Sequence, residues 1–101
     1  MQIDRDQIEA SLLTKGFIKE NSNHRYFYHE IDGKRTGAYT FTSHGSKYKV
    51  YTDTLLSAMK TQLRLKTLQQ TVALLNCNID GNKYNDILKF RILIIGYNIL
   101  I

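Results

Sequence analysis

Apolar positions in the first part of the chain recur at helical spacing. Ile8, Leu12 and Leu13 form a stripe of the kind an amphipathic helix buries. Asp4 precedes it as a candidate cap, and Gln7 stands three residues later in the capping-box position. Ile3 and Ile8 occupy the hydrophobic-staple positions around that cap. Gly16 suits a left-handed helix stop, with Phe17 as the apolar contact just beyond it. The pattern predicts a helix over residues 5–15.

From Phe17 onward the period shortens to two. Three strands are expected, over residues 17–20, 24–31 and 34–42. The second is rich in aromatic residues, which suit a pleated surface. Asp32-Gly33 is a favoured two-residue hairpin turn. The third carries Thr36, Tyr39, Thr40, Phe41 and Thr42. Alternation puts Arg25, Phe27, His29 and Ile31 on one face of the second strand, and His24, Tyr26, Tyr28 and Glu30 on the other. The first set is the more apolar and is expected to face the helices, which leaves His24 and the tyrosines on the wet face. The reverse assignment stays open, because both faces are mixed.

Helical spacing then returns. Ser43-His44-Gly45-Ser46 reads as a loop leading into the basic stretch Lys47-Tyr48-Lys49. Thr52 is a candidate cap for a helix over 53–63 with Leu55, Leu56, Met59 and Leu63 as its core stripe. Thr67 and Gln70 repeat the capping-box spacing. A third helix is expected from there to about Cys77, burying Leu68, Val72 and Leu75. Asp80 is a candidate cap for a fourth, carrying Tyr84, Ile87 and Leu88. These elements make one α+β domain over residues 1–88, with additional C-terminal helices. Residues 89–101 form an apolar tail, too short to span a bilayer. A terminal strand, a packed helix, an oligomer contact and an aggregation-prone end are all open for it.

Composition narrows the function classes. A chain of 101 residues with 43% hydrophobic residues and no proline favours one globular domain over a disordered segment. Cys77 is the only cysteine, so no intramolecular disulfide can form. The amino terminus lacks the apolar stretch of a signal peptide. Both features point to a reducing, cytoplasmic home. The three histidines have no metal-ligand spacing, and no cofactor is called for. Fourteen Lys and Arg against nine Asp and Glu give a net charge of +5, which favours a polyanionic partner or serves solubility alone.

The order helix, three strands, helix is that of double-stranded-RNA-binding folds, and by itself it says little about function. The residues say more. Leu13-Thr14-Lys15-Gly16-Phe17, then Asn21-Ser22-Asn23-His24-Arg25-Tyr26, then Asp32-Gly33-Lys34, resembles the HicA family of small toxin ribonucleases. Ser43-His44-Gly45-Ser46, Leu55-Leu56 and Gln62-Leu63 are similar to a branch of HicA-like proteins. Where the family has Gly-Ser-His opening its second strand, this chain has Ser22-Asn23-His24. The likeness covers about residues 5–88. It implies a dsRBD-like fold and an endoribonuclease that cleaves mRNA. It also implies neutralisation by a HicB-type antitoxin protein, and a catalytic role for His24.

The chemistry is sound on its own terms. Imidazole titrates near neutral pH and can accept or donate a proton. RNA carries its own nucleophile in the ribose 2′-hydroxyl, so a base and a few cations suffice for scission without a metal. Arg25, Lys47 and Lys49 are candidate phosphate contacts, and Tyr26 or Tyr28 could stack on an unpaired base. Each has a plainer rival. The tyrosines can pair across strands, and the lysines can solvate a loop. His29 is expected to be structural, and His44 to shape a loop, with a second acid–base role open. A non-catalytic RNA-binding module and a protein-interaction subunit assembled through the tail are the alternatives.

Overall fold

The amino-terminal segment enters the fold as a strand, which the sequence pattern did not show. A computed structural model describes residues 2–76 and 78–89. In it, β1 (Gln2–Asp4) runs directly into α1 (Arg5–Thr14) and pairs antiparallel with β5 (Val50–Thr52), Ile3 opposite Tyr51. That pairing replaces the expected capping box. Asp4 makes no side-chain cap hydrogen bond; instead the Arg5 N–H, among the helix's orphan donors, donates to the Lys49 carbonyl at 2.8 Å. Gln7 Nε2 donates to Ser11 Oγ at 2.9 Å and to the Leu75 carbonyl at 3.3 Å. The staple residues Ile3 and Ile8 are both in the core.

The inner face of α1 is Ile8, Ser11 and Leu12, not the all-apolar stripe expected. Ser11 takes an inward position because its hydroxyl donates to the Leu75 carbonyl at 2.7 Å; Leu13 is turned out and 51% exposed. Gly16 ends the turn at φ 91°, and the chain enters β2 through the buried Phe17.

β2 (Phe17–Asn21), β3 (Arg25–Ile31) and β4 (Lys34–Thr42) form a three-stranded antiparallel sheet in that order. Asp32 and Gly33 sit at φ 52° and 79°, the pair of left-handed conformations a type I′ hairpin needs. Phe27 and His29 are buried on the inner face, while Tyr26, Tyr28 and Glu30 are half-buried on the other. An irregularity interrupts the β3–β4 ladder. Tyr28 pairs with Tyr39 and Glu30 with Arg35, so Thr36, Gly37 and Ala38 stand opposite His29 alone. Gly37 takes φ 94° there, as bulged strands commonly require.

The helices close the other side. α1 packs on β2, and α2 (Asp53–Gln62) packs on β4 and β5. Leu56, Met59 and Leu63 are buried and Leu55 half-buried. α3 (Leu68–Leu75) packs against α1 and α2. Half of its expected capping box forms: Thr67 Oγ1 accepts from the Gln70 N–H at 3.0 Å, while Gln70 Oε1 reaches one residue further back and accepts from the Lys66 N–H at 2.9 Å. Leu74, Leu75 and Thr71 are its buried residues; Leu68 and Val72 are only partly covered. Residues 81–89 are helical (α4), with Asp80 Oδ1 accepting from the Lys83 N–H at 2.8 Å and Tyr84 and Leu88 buried. The described residues thus make an α+β fold, with four helices among them around one sheet face. Cys77 and the tail from residue 90 onward lie outside the described residues.

Candidate nucleic-acid interface

His24 closes the turn between β2 and β3. The turn is held by a Ser22 N–H to His24 carbonyl bond of 2.9 Å, and Asn21 pairs with Arg25 immediately after it. None of residues 22–24 has positive φ, so the turn does not need glycine. The imidazole stacks on Phe41 (centroids 5.0 Å, planes 26° apart) and meets Tyr26 edge-on at 6.1 Å. Its Nδ1 is shut from solvent with no hydrogen-bond partner among the described residues. A buried, unpaired polar atom of this kind is uncommon in native proteins. It leaves Nε2 as the ring nitrogen that could serve a substrate.

The ring contacts continue along the sheet. Tyr26 lies 5.5 Å from Phe41 and stacks on Tyr28 at 5.9 Å, and Tyr28 lies 6.2 Å from Tyr39. The Arg35 guanidinium sits 3.9 Å above the Tyr28 ring and pairs with Glu20 at 2.5 Å. A row of five aromatic rings, His24 included, therefore crosses the face away from the helices. Sequence reasoning named His24, Tyr26 and Tyr28 but missed Phe41, Tyr39 and Arg35 as its other members. Their alternation along β4 was the available signal.

Arg25 points elsewhere. Its Nη1 donates to Glu9 Oε2 at 2.8 Å, and the Thr42 hydroxyl donates to the same oxygen at 2.7 Å, tying β3 and β4 to α1. Burial pushes the Glu9 carboxyl pKa up, but the hydrogen bonds from Arg25 and Thr42 outweigh it and hold the group below its ordinary value. Lys47 and Lys49 are exposed, in and just after the 3-10 turn Ser46–Tyr48. Their loop leaves β4 beyond Thr42, which pairs with Arg25, so it departs from the sheet end where His24 enters. Exposed His44 belongs to the same loop. Arg5 shapes it, donating from Nη1 to the Ser43 and Gly45 carbonyls at 2.9 Å each. Lys49 borders a shallow cavity with Asp4 and Asp6, so acidic neighbours share its surroundings.

His29 is wholly buried and has both ring nitrogens engaged. Nδ1 lies 2.9 Å from Thr36 Oγ1, presented by the bulge, and Nε2 lies 2.9 Å from Asn85 Oδ1. Phe17 and Tyr84 pack on the ring at 5.0 and 4.8 Å. This is the structural role expected of it. Burial lowers its pKa below the ordinary 6.5, against an opposing contribution from Asn85. The unfolded chain therefore binds a proton that the native state refuses. Stability is fully present above pH 6.5 and is lost as pH falls from there through the lowered native value. The melting temperature should drop between pH 7.5 and 5, and His29→Gln should flatten that slope in a thermal melt series. An equal slope in the variant would remove His29 as the cause. Glu9 acts only at lower pH, below its ordinary 4.5.

No group of three or more His, Cys, Asp or Glu among the described residues could hold a metal ion, and no helix among them is long and apolar enough to cross a membrane. The chain matches no family model, no curated protein and no solved structure.

Proposed function

We propose that this protein is a HicA-like toxin endoribonuclease that cuts mRNA by metal-independent histidine chemistry and is neutralised in the cytoplasm by a HicB-type antitoxin. The observation that carries the reading is His24, mounted at the head of an aromatic row on the open sheet face with one ring nitrogen sealed off. The run α1-β2-β3-β4 and then α2 supports the likeness to dsRBD-like folds, and the net charge of +5 supports a nucleic-acid partner.

In this reading Nε2 of His24 takes the proton of a ribose 2′-hydroxyl. The freed oxygen attacks the neighbouring phosphorus, and the bond from phosphorus to the 5′ oxygen breaks. The products are a 2′,3′-cyclic phosphate and a 5′-hydroxyl, which receives a proton from the imidazolium or from water. Tyr26 and Tyr28 stack on bases, which every nucleotide permits because each has a π-face. Lys47 and Lys49 offset charge on the phosphate. Arg25 can join them only by exchanging Glu9 for phosphate.

One observation favours the non-catalytic RNA-binding module as a second reading. Among the described residues no carboxylate orients the His24 ring at Nδ1, and such a partner commonly fixes a catalytic imidazole. Purified protein incubated with labelled single-stranded RNA in chelator separates the two. The proposal expects shortened RNA. Intact RNA that stays bound would favour the module.

A further inference from the structure

A second charged concavity adjoins the tyrosine row. β4 is an edge strand, and beside its Tyr39 opens a cavity of about 670 Å³ lined also by Lys60, Arg64, Leu65 and Lys66. No carboxylate among the described residues lines it. None of the three cations is in an ion pair among the described residues.

The end of α2 builds this cavity. The Leu65 N–H donates to the Lys60 carbonyl at 3.0 Å and the Arg64 N–H to the Thr61 carbonyl at 3.2 Å, the two bonds of a Schellman cap. Leu65 completes the motif by burying its side chain. The left-handed position of that motif usually holds glycine or asparagine. Here it holds Arg64 at φ 62°, a conformation that costs a residue with a Cβ. Cations near a helix C-terminus also complement its dipole. That effect accounts for a positive charge near the terminus, but not for an arginine at the strained position. Nor does it account for the exposed Tyr39, 38% accessible, on the cavity wall.

Tyr39 belongs to both features. It is the last ring of the row, 6.2 Å from Tyr28, and it lines the cavity. The geometry points to this cavity as a phosphate-binding subsite for the same single-stranded RNA. Tyr39 carries the strand off the tyrosine row, and Lys60, Arg64 and Lys66 hold its backbone phosphates at the end away from His24. This rests on the RNA reading above and adds to it a second anchoring point and a minimum substrate length.

The test is binding of uncleavable 2′-O-methyl RNA at two lengths, about three nucleotides and about ten, the longer one within the span of known single-strand sites. Salt is varied, and wild type is compared with Lys60→Gln/Arg64→Asn/Lys66→Gln. Asparagine suits the left-handed position, so the cap is kept. The triple variant should lose at least about tenfold in affinity for the longer strand, and its salt slope should fall by about two, roughly 0.7 per phosphate contact. Affinity for the short strand and cleavage of a short RNA should not change. Should the triple variant melt early, Lys66→Gln alone should lower the slope by about 0.7. Wild type that binds and cuts RNA with a slope untouched by these variants overturns the subsite alone. Wild type with no affinity for either strand overturns the subsite and the RNA reading together.

Discussion

His24→Ala should lower RNA cleavage by about a hundred- to ten-thousand-fold, the usual contribution of general acid–base catalysis, while the protein stays folded and bound to RNA. The side chain is half-buried and rests on Phe41. Truncating it removes the ring contacts with Phe41 and Tyr26 but opens no core cavity, so the stability change should stay at about 1 kcal/mol. Affinity should survive because Tyr26, Tyr28 and the loop lysines remain. Cleavage of labelled RNA, with thermal melting in parallel, reads both quantities. His44→Ala is the informative partner. A comparable loss there would mean that two histidines divide the base and acid roles, and an unchanged rate would leave both to His24 and water. A His24→Ala protein cutting at the wild-type rate would remove the proposed catalyst.

Tyr84→Ala should be the most damaging change to the fold, about 3–5 kcal/mol by the usual cost of truncating a buried aromatic. Tyr84 is fully buried and joins three elements. Its ring stacks on Phe17 at 5.6 Å and meets His29 edge-on at 4.8 Å. Its hydroxyl donates to the Leu63 carbonyl at 2.8 Å, just past α2. Burial holds the phenol pKa far above its ordinary value, so the hydroxyl remains a donor at any working pH. Tyr84→Phe should cost only about 1 kcal/mol, the net worth of one hydrogen bond. Urea unfolding orders the three proteins. Tyr84→Ala unfolding at the wild-type midpoint would mean that residues 81–89 are dispensable to the domain.

The elements with strong local signals were legible in the sequence. Asp32-Gly33 set its turn because both residues accept left-handed backbone. Thr67-Gln70 set its helix start because the capping hydrogen bonds are local. β1 and β5 were not legible, since three residues are too few to display a period. Their pairing also explains why Asp4 does not cap: the Arg5 N–H meets the Lys49 carbonyl, far off in sequence.

The site was legible in part, and the bulge is the reason. Counted from the hairpin turn, a regular ladder would set Tyr28 opposite Gly37 and Tyr26 opposite Tyr39. The extra residues at 36–38 instead bring Tyr39 opposite Tyr28 and Phe41 opposite Tyr26, and so assemble the row. Arg25 shows the converse limit. Its charge was visible, but its commitment to Glu9 depends on α1 packing against the sheet. Ser22 and Asn23 lead into His24 through a turn without positive φ, so no glycine is required there.

We propose that RNA is cut through its own 2′-hydroxyl, with His24 as the proton acceptor. The most direct measurement is cleavage of one RNA sequence in chelator, beside a copy carrying a single 2′-deoxy nucleotide at the mapped cut position, with the product ends identified by mass. The expected result is a 2′,3′-cyclic phosphate from the RNA and no cut at the deoxy position. Cleavage of the deoxy copy at the same bond and rate, or products ending in a free 3′-hydroxyl, would contradict it.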